Sequence, residues 1–134
     1  MSKERLMTTE RWVAFNNQTH DGEPYEAPAA LAVDPVVLTA FGDQLKLLVL
    51  AGALPEAALP GGLVRPDESA EAAVRRTLRD KAGLGGVRLE QLMTFTDPMR
   101  DYRGWIPSVA FVGLVPPGES PLHPRAEWVD SRDL

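Results

Sequence analysis

Short apolar runs separated by glycine, proline and charged residues fill most of the chain, and this pattern is typical of strands. The predicted strands cover 31–40, 45–50, 87–95, 106–115 and 126–129, with a turn at 41–43 and a surface loop at 116–124. Pro35 lies inside the first run and predicts an edge position or a bulge, because proline has no N–H to donate to a sheet.

One segment has helical spacing instead. Its apolar positions recur every three or four residues and are Ala70, Ala73, Val74, Leu78 and Ala82. Ser69 is a typical N-cap, Glu71 complements the helix dipole, and Gly83 suits the residue that ends a helix. The pattern predicts a helix over 70–82 with strands on both sides of it. This order favours an α/β fold, a mixed sheet sandwiched by helices.

Residues 1–28 are polar and irregular, and they are expected to form an N-terminal arm preceding a domain at 29–134. Trp12 and Phe15 give this arm more apolar content than a tail needs. We therefore expect them to dock on the domain or on a second subunit, and a homodimer is the expected assembly.

Composition narrows the class of protein. The length of 134 residues is typical of one domain, and the net charge of −5 argues against nucleic-acid binding through this chain alone. The absence of cysteine excludes disulfides and thiolate chemistry. The chain has no apolar run of membrane-spanning length and no recognisable signal peptide, so the expected location is cytoplasmic.

The strongest chemical signal is a glycine loop followed by the predicted helix. Gly61 and Gly62 suit either a tight loop with positive φ or a close approach of the backbone to a phosphate. Thr77, Asp80 and Lys81 have i, i+3, i+4 spacing, so one helix face is expected to present all three side chains.

This segment resembles the Nudix box, G-x5-E-x7-R-E-U-x-E-E-x-G-U, where U is a bulky aliphatic residue. The residues that fit it in register are Gly62, Glu68, Arg76, Leu78, Gly83 and Leu84. The resemblance implies the Nudix fold, an α/β/α sandwich with a mixed sheet. It also implies Mg²⁺- or Mn²⁺-dependent hydrolysis of a nucleoside diphosphate linked to another group.

Three glutamates of the box are replaced, by Thr77, Asp80 and Lys81. Mg²⁺ binds through carboxylates, water and phosphate oxygens, and this face offers a hydroxyl, one short carboxylate and an ammonium. Such a face is expected to hold a phosphate better than a metal ion. Glu68 and Arg76 are either catalytic or an ion pair that braces the loop.

A second stretch, from Leu89 to Phe111, resembles the Nudix-related transcriptional regulators of NAD metabolism, which typically read LEQLYTFGDPxRDPRxRxxSVAY there. The resemblance implies recognition of ADP-ribose or a related nucleotide, often with lost hydrolase activity. In those regulators a winged helix that binds DNA follows. Because this chain stops at Leu134, the C-terminal helix and any winged helix are expected to be missing. Trp105 and Pro107 depart from the regulators' pattern.

The loop around Arg100, Asp101 and Arg103 is the other candidate site. Arginines can fork onto phosphates and a carboxylate can hold ribose hydroxyls, while Tyr102 or Trp105 can stack on adenine. The alternative is a solvated loop whose charges pair with each other. His20 and His123 have no partner at metal-ligand spacing.

The leading hypothesis is therefore a Nudix-fold sensor of ADP-ribose or a related nucleoside diphosphate derivative, without efficient hydrolysis. Its predicted ligand-binding residues are Gly61, Gly62, Arg79, Arg100, Asp101 and Arg103. An alternative is an active hydrolase in which Glu68, Arg76 and Asp80 are catalytic, and Asp80 and Glu68 are weak ligands for Mg²⁺ or Mn²⁺, together with an unrecognised carboxylate. Asp97, Glu119 and Glu127 are the only later carboxylates that could supply it. The third hypothesis is a vestigial interaction module with no cofactor.

Overall fold

The computed structural model describes residues 29–51, 58–119, 121 and 123–134. Its elements are β1 (Ala32–Phe41), β2 (Gln44–Leu50), β3 (Gly62–Leu63), α1 (Ala70–Ala82), β4 (Leu89–Phe95), β5 (Ser108–Val115), β6 (Ala126–Asp130) and a 3₁₀ turn (Ser131–Asp133). The predicted arm at 1–28, with Trp12, Phe15 and His20, lies outside the described residues.

The strands form one mixed sheet. In the part of the chain that the structure describes, the order is β4-β5-β1-β2-β6, and β3 pairs with β1 beside β2. β1 and β5 run parallel from Ala32 opposite Ser108 to Thr39 opposite Val115, and the other pairs are antiparallel. The α/β class and the mixed sheet are thus confirmed, and each predicted strand is present with its ends shifted by at most two residues.

The edge position predicted from Pro35 is wrong, because β1 has neighbours on both sides. Ala32 donates its N–H to Pro107 on the β5 side, so alternation turns the nitrogen of Pro35 to the opposite side. On that side β3 pairs with 32–33 and β2 pairs with 38–41. Pro35 falls between these two pairings, where a missing N–H costs no ladder hydrogen bond.

The helix α1 begins and ends where the sequence predicts. The Ser69 hydroxyl accepts a hydrogen bond from the Ala72 N–H at 3.1 Å, and Gly83 has a φ of 71°. The Gly83 N–H donates to the Arg79 carbonyl at 2.9 Å. Thr77 is buried although its residue type and position did not place it in the predicted apolar stripe.

The core lies between α1 and the sheet. One cluster joins the C-terminal half of the helix to β1 and β2, and contains Val37, Leu48, Leu78, Ala82, Leu84 and Val87. The other joins its N-terminal half to β1 and β5, and contains Val33, Ala73, Val74, Val109 and Phe111. Because both clusters include β1, the helix packs over the centre of the sheet. One side of the helix also contacts β3.

No helix among the described residues has both the length and the apolar character needed to cross a membrane.

Candidate functional site

The loop before α1 is seated on the central strand through Gly61. A Cβ atom at this position would overlap the Val33 carbonyl oxygen and the Asp34 carboxylate. Gly61 and Gly62 are not among the glycines with positive φ. Of the two reasons predicted for these glycines, positive φ is therefore wrong. The close approach to a phosphate stays a prediction, and the close neighbour that the structure gives Gly61 is β1.

Two of the three substituted positions of the helix face this loop. Thr77 is 1% exposed, and its hydroxyl donates to the Val74 carbonyl at 3.1 Å. Its methyl group lies 3.0 Å from the place where a Cβ on Gly62 would be. The Lys81 ammonium donates to the Gly61 carbonyl oxygen. This side of the helix therefore presents a methyl group and an ammonium to the loop.

Among the described residues Asp80 forms no hydrogen bond with this loop, so a shared role for all three side chains stays a prediction. Its side chain is 56% exposed and lies 3.6 Å from the Arg79 guanidinium, which is 66% exposed. Thr77 and Lys81 are one helical turn apart, and both contact the glycine loop.

Glu68 and Arg76 form a close ion pair that ties the loop to the helix. Arg76 donates to the carboxylate through Nε at 3.0 Å and through Nη2 at 2.6 Å, and Nη2 also donates to the Leu63 carbonyl at 3.0 Å. The Arg65 N–H donates to the same carboxylate at 2.9 Å. Hydrogen bonding from Arg76 lowers the pKa of Glu68 from 4.5 to about 2, although partial burial opposes the shift. The same contact raises the pKa of Arg76.

Asp34 is a candidate site residue that sequence reasoning missed. Its carboxylate accepts a hydrogen bond from the buried Ser108 hydroxyl and lies 3.9 Å from Nη2 of Arg100. Arg100 also donates to the Ile106 carbonyl at 2.5 Å. The sequence did contain a signal for Asp34, namely a carboxylate within an apolar strand. Burying a charge costs free energy unless the charge has partners, so such a residue indicates a polar cluster.

Gly61 connects this cluster to the helix face. Val33 and Val37 pack against α1, so alternation along β1 puts Asp34 on the opposite face of the sheet. The Gly61 backbone thus contacts the Asp34 carboxylate from one side and the Lys81 ammonium from the other. The two motifs predicted separately, the glycine loop and the Arg100 loop, meet through Asp34.

The remaining charges of the Arg100 loop pair with each other, as the alternative interpretation predicted. Arg103 donates to Asp101 through Nη2 at 2.8 Å and through Nε at 3.0 Å. These bonds, with one from the Arg103 N–H, lower the pKa of Asp101 to about 2. Tyr102 is 91% exposed and Trp105 is 52% exposed, so both rings are open to a stacking partner.

The described residues contain no group of three or more His, Cys, Asp or Glu side chains arranged to hold a metal ion. The carboxylates proposed as substitutes serve elsewhere or lie at the surface. Asp97 accepts from the Met99 N–H at 2.8 Å, and Glu119 and Glu127 are exposed. His123 accepts from the Arg125 N–H within its own turn. Glu68 and Asp80, the predicted weak ligands, already face arginines.

Comparisons with known proteins identify relatives for this architecture. A family model for the NUDIX domain matches residues 30–134. An ADPR-responsive transcriptional repressor, NtrR of Acinetobacter baylyi, is 31% identical over 97 residues, covering 68% of this chain and 38% of the repressor. The chain thus spans well under half the length of that curated relative.

Solved structures agree with this relationship. The NUDIX domain of Shewanella oneidensis NrtR, crystallised with ADP-ribose, superposes with a TM-score of 0.72 at 29% identity, covering 95% of this chain and 86% of that one. A MutT/nudix family protein from Enterococcus faecalis also reaches a TM-score of 0.72, at 28% identity, covering 97% of this chain and 56% of that one.

Proposed function

The chain belongs to the Nudix family, and from this premise we propose that it binds ADP-ribose or a related nucleoside diphosphate derivative as a sensor, without efficient hydrolysis. The observation that carries the proposal is the contact between the Lys81 ammonium and the Gly61 carbonyl. The family uses carboxylates at these positions to hold Mg²⁺ or Mn²⁺. This chain has the Lys81 ammonium against the glycine loop instead. The metal does not fit these side chains, and binding is favoured over turnover.

The ligand class is supported by similarity and by the charges near Gly61. The NUDIX domain of NrtR from S. oneidensis, 29% identical to this chain, was crystallised with ADP-ribose. Lys81, Arg100 and Arg103 supply cationic donors for a diphosphate. The exposed rings of Tyr102 and Trp105 are available for an adenine base.

Asp34 and Asp101 are the carboxylates assigned to the ribose hydroxyls. Each already has an arginine beside it, at 3.9 Å for Arg100 and at 2.8 Å for Arg103. A ribose hydroxyl donates to a carboxylate while the neighbouring guanidinium turns to a phosphate oxygen. A bound ligand can in this way separate each ion pair: its ribose hydroxyl contacts the aspartate, and its phosphate contacts the arginine.

Isothermal titration calorimetry with ADP-ribose tests the proposal. We expect one binding site per chain and at least about a tenfold loss of affinity in Arg100→Ala, because the phosphate loses a charged donor. Arg88→Ala is the matched control, since the Arg88 side chain is 90% exposed and its charged partner is Glu90. The absence of heat with ADP-ribose, NAD and sugar nucleotides at millimolar concentration would contradict the proposal.

Hydrolysis is tested in the same samples by mass spectrometry. We expect no release of AMP in Mg²⁺ or Mn²⁺ beyond that in buffer. The second candidate function, an active hydrolase, is favoured by one observation, the contact of the Asp34 carboxylate with Gly61. It predicts metal-dependent AMP release that is lost in Asp80→Asn and in Asp34→Asn. A vestigial interaction module predicts neither heat nor turnover.

A further inference from the structure

The Gly61 carbonyl oxygen points at the C-terminal half of α1, where it accepts a hydrogen bond from the Lys81 ammonium. The Lys81 Nζ atom also lies 3.4 Å from the position of a Cβ on Gly62. An ammonium that bonds a backbone carbonyl at the mouth of a glycine loop occupies the space that a cation bound to that carbonyl would need. It supplies the positive charge there itself.

The surroundings of Lys81 exclude a second cation. Thr77, one turn earlier, is buried and donates its hydroxyl to the Val74 carbonyl, so its oxygen is turned away from the loop. The Asp80 side chain is 56% exposed and lies 3.6 Å from the Arg79 guanidinium. The Glu68 carboxylate is occupied by Arg76 and by the Arg65 N–H. A divalent ion on the helix side of Gly61 would meet a repelling ammonium, and the Asp34 carboxylate on the other side already accepts from Ser108 and lies 3.9 Å from Arg100.

We propose that Lys81 is a built-in cation that takes the place of a divalent metal at the Gly61 carbonyl and makes diphosphate binding by this chain independent of metal. An ammonium has three N–H donors, and one of them is used by Gly61. The other two are available to phosphate oxygens, because Lys81 remains exposed to solvent while it contacts the loop. The ligand part of this inference rests on the proposed function, whereas the exclusion of metal does not.

The competing role for Lys81 is that of a structural clamp between α1 and the loop. A clamp contributes to folding and has no effect on metal selectivity. The two roles differ in what a change of charge at position 81 does to metal binding, so the first measurement needs no nucleotide.

The first experiment measures Mn²⁺ binding by electron paramagnetic resonance for the wild type, Lys81→Glu and Lys81→Gln. The control is Arg79→Glu, which makes the same charge change on the same helix at a side chain that is 66% exposed. We expect Lys81→Glu to bind Mn²⁺ at least about tenfold more tightly than the wild type and than Arg79→Glu, because it gains a carboxylate and frees a carbonyl. The Mn²⁺ affinity of Lys81→Gln should lie between those of the wild type and Lys81→Glu.

Equal Mn²⁺ affinity in Lys81→Glu and Arg79→Glu overturns the inference, as does a wild type that binds Mn²⁺ as tightly as Lys81→Glu. Circular dichroism checks that each variant folds. If Lys81→Glu is unfolded, Lys81→Gln decides the question, because removal of the ammonium alone should raise Mn²⁺ affinity above that of the wild type.

The second experiment titrates ADP-ribose into the wild type and Lys81→Glu, with EDTA and with millimolar Mg²⁺. We expect the wild-type affinity to be the same in both buffers, within about threefold. Lys81→Glu should lose at least about tenfold in EDTA and recover in Mg²⁺. Wild-type binding that requires Mg²⁺ overturns the inference. Failure of the wild type to bind in either buffer contradicts the proposed function, and the Mn²⁺ measurement then decides the role of Lys81.

Discussion

At the scale of single residues, Glu68 and Arg76 belong to types associated with catalysis, but here they form an ion pair that joins the loop to the helix. Two nitrogens of Arg76 and one backbone N–H surround a carboxylate that is only 13% exposed. Hydrogen bonding from Arg76 lowers the pKa of Glu68 because the charged form is the one that is bonded. Whether the pair also takes part in chemistry stays a prediction.

This shift predicts a pH dependence of stability. The pKa of Glu68 falls from 4.5 to about 2 on folding, so the stabilisation is complete above pH 4.5 and is lost as the pH falls toward 2. We expect the difference in unfolding temperature between the wild type and Glu68→Gln to shrink across this interval. Glu90→Gln is the control, since the Glu90 side chain is 71% exposed. A difference that does not change with pH would contradict the assignment.

Position 61 has no room for a side chain, so glycine is required there and the effect of adding one methyl group can be predicted. Gly61→Ala should lower the free energy of unfolding by about 1 to 3 kcal/mol, because its Cβ would overlap Val33 and Asp34. A Cβ on Gly85 would have no neighbouring atom within 4 Å, so Gly85→Ala is the control and should be neutral or stabilising. Urea unfolding of both variants tests this, and equal stabilities would show that the loop can move off β1.

At the scale of elements, α1 is specified by local chemistry. Its hydroxyl cap, its left-handed glycine and its apolar stripe are all encoded within the 15 residues from Ser69 to Gly83. This is why the helix bounds were predicted correctly. The burial of Thr77 was not predicted, because it depends on β3 lying against that side of the helix.

The N-cap leads to a prediction for the helix. Ser69→Ala should cost about 1 kcal/mol of stability, because the Ala72 N–H loses its acceptor. Ser69→Asp should retain most of the stability, since aspartate caps equally well. Denaturant unfolding measures both, and no loss of stability in Ser69→Ala would mean that the cap hydrogen bond contributes nothing.

At the scale of the whole molecule, the sheet order decides which residues form the candidate site. β1 is the common neighbour of β3 and β5, so Gly61 and the residues before β5 both approach Asp34. Ser108, the hydrogen-bond donor to Asp34, is 74 positions away in the chain. No local pattern relates two residues at that separation.

The outer strand β4 predicts the assembly. It is the end strand of the described sheet, and Leu92, Met93 and Phe95 are 45% to 55% exposed. We expect a homodimer that covers this strand, because an exposed apolar edge favours association. Size-exclusion chromatography with light scattering should show Leu92→Lys dissociating at concentrations where the wild type is a dimer.

Phe41→Lys is the control for that substitution. Phe41 is 63% exposed and lies at the turn between β1 and β2, away from the β4 edge. Its variant should remain a dimer. A wild type that is monomeric at all concentrations would contradict the predicted assembly.

The helix, its caps, the strands other than β3 and the loss of box carboxylates follow from the sequence, because each depends on a local pattern or on side-chain type. The contact of Lys81 with Gly61, the burial of Thr77 and the cluster around Asp34 were decided only by the tertiary structure. Each joins segments that are far apart in the chain, and the sheet order brings them together. Pro35 is the clearest example, since a residue typical of an edge is accommodated inside the sheet by the gap between β3 and β2.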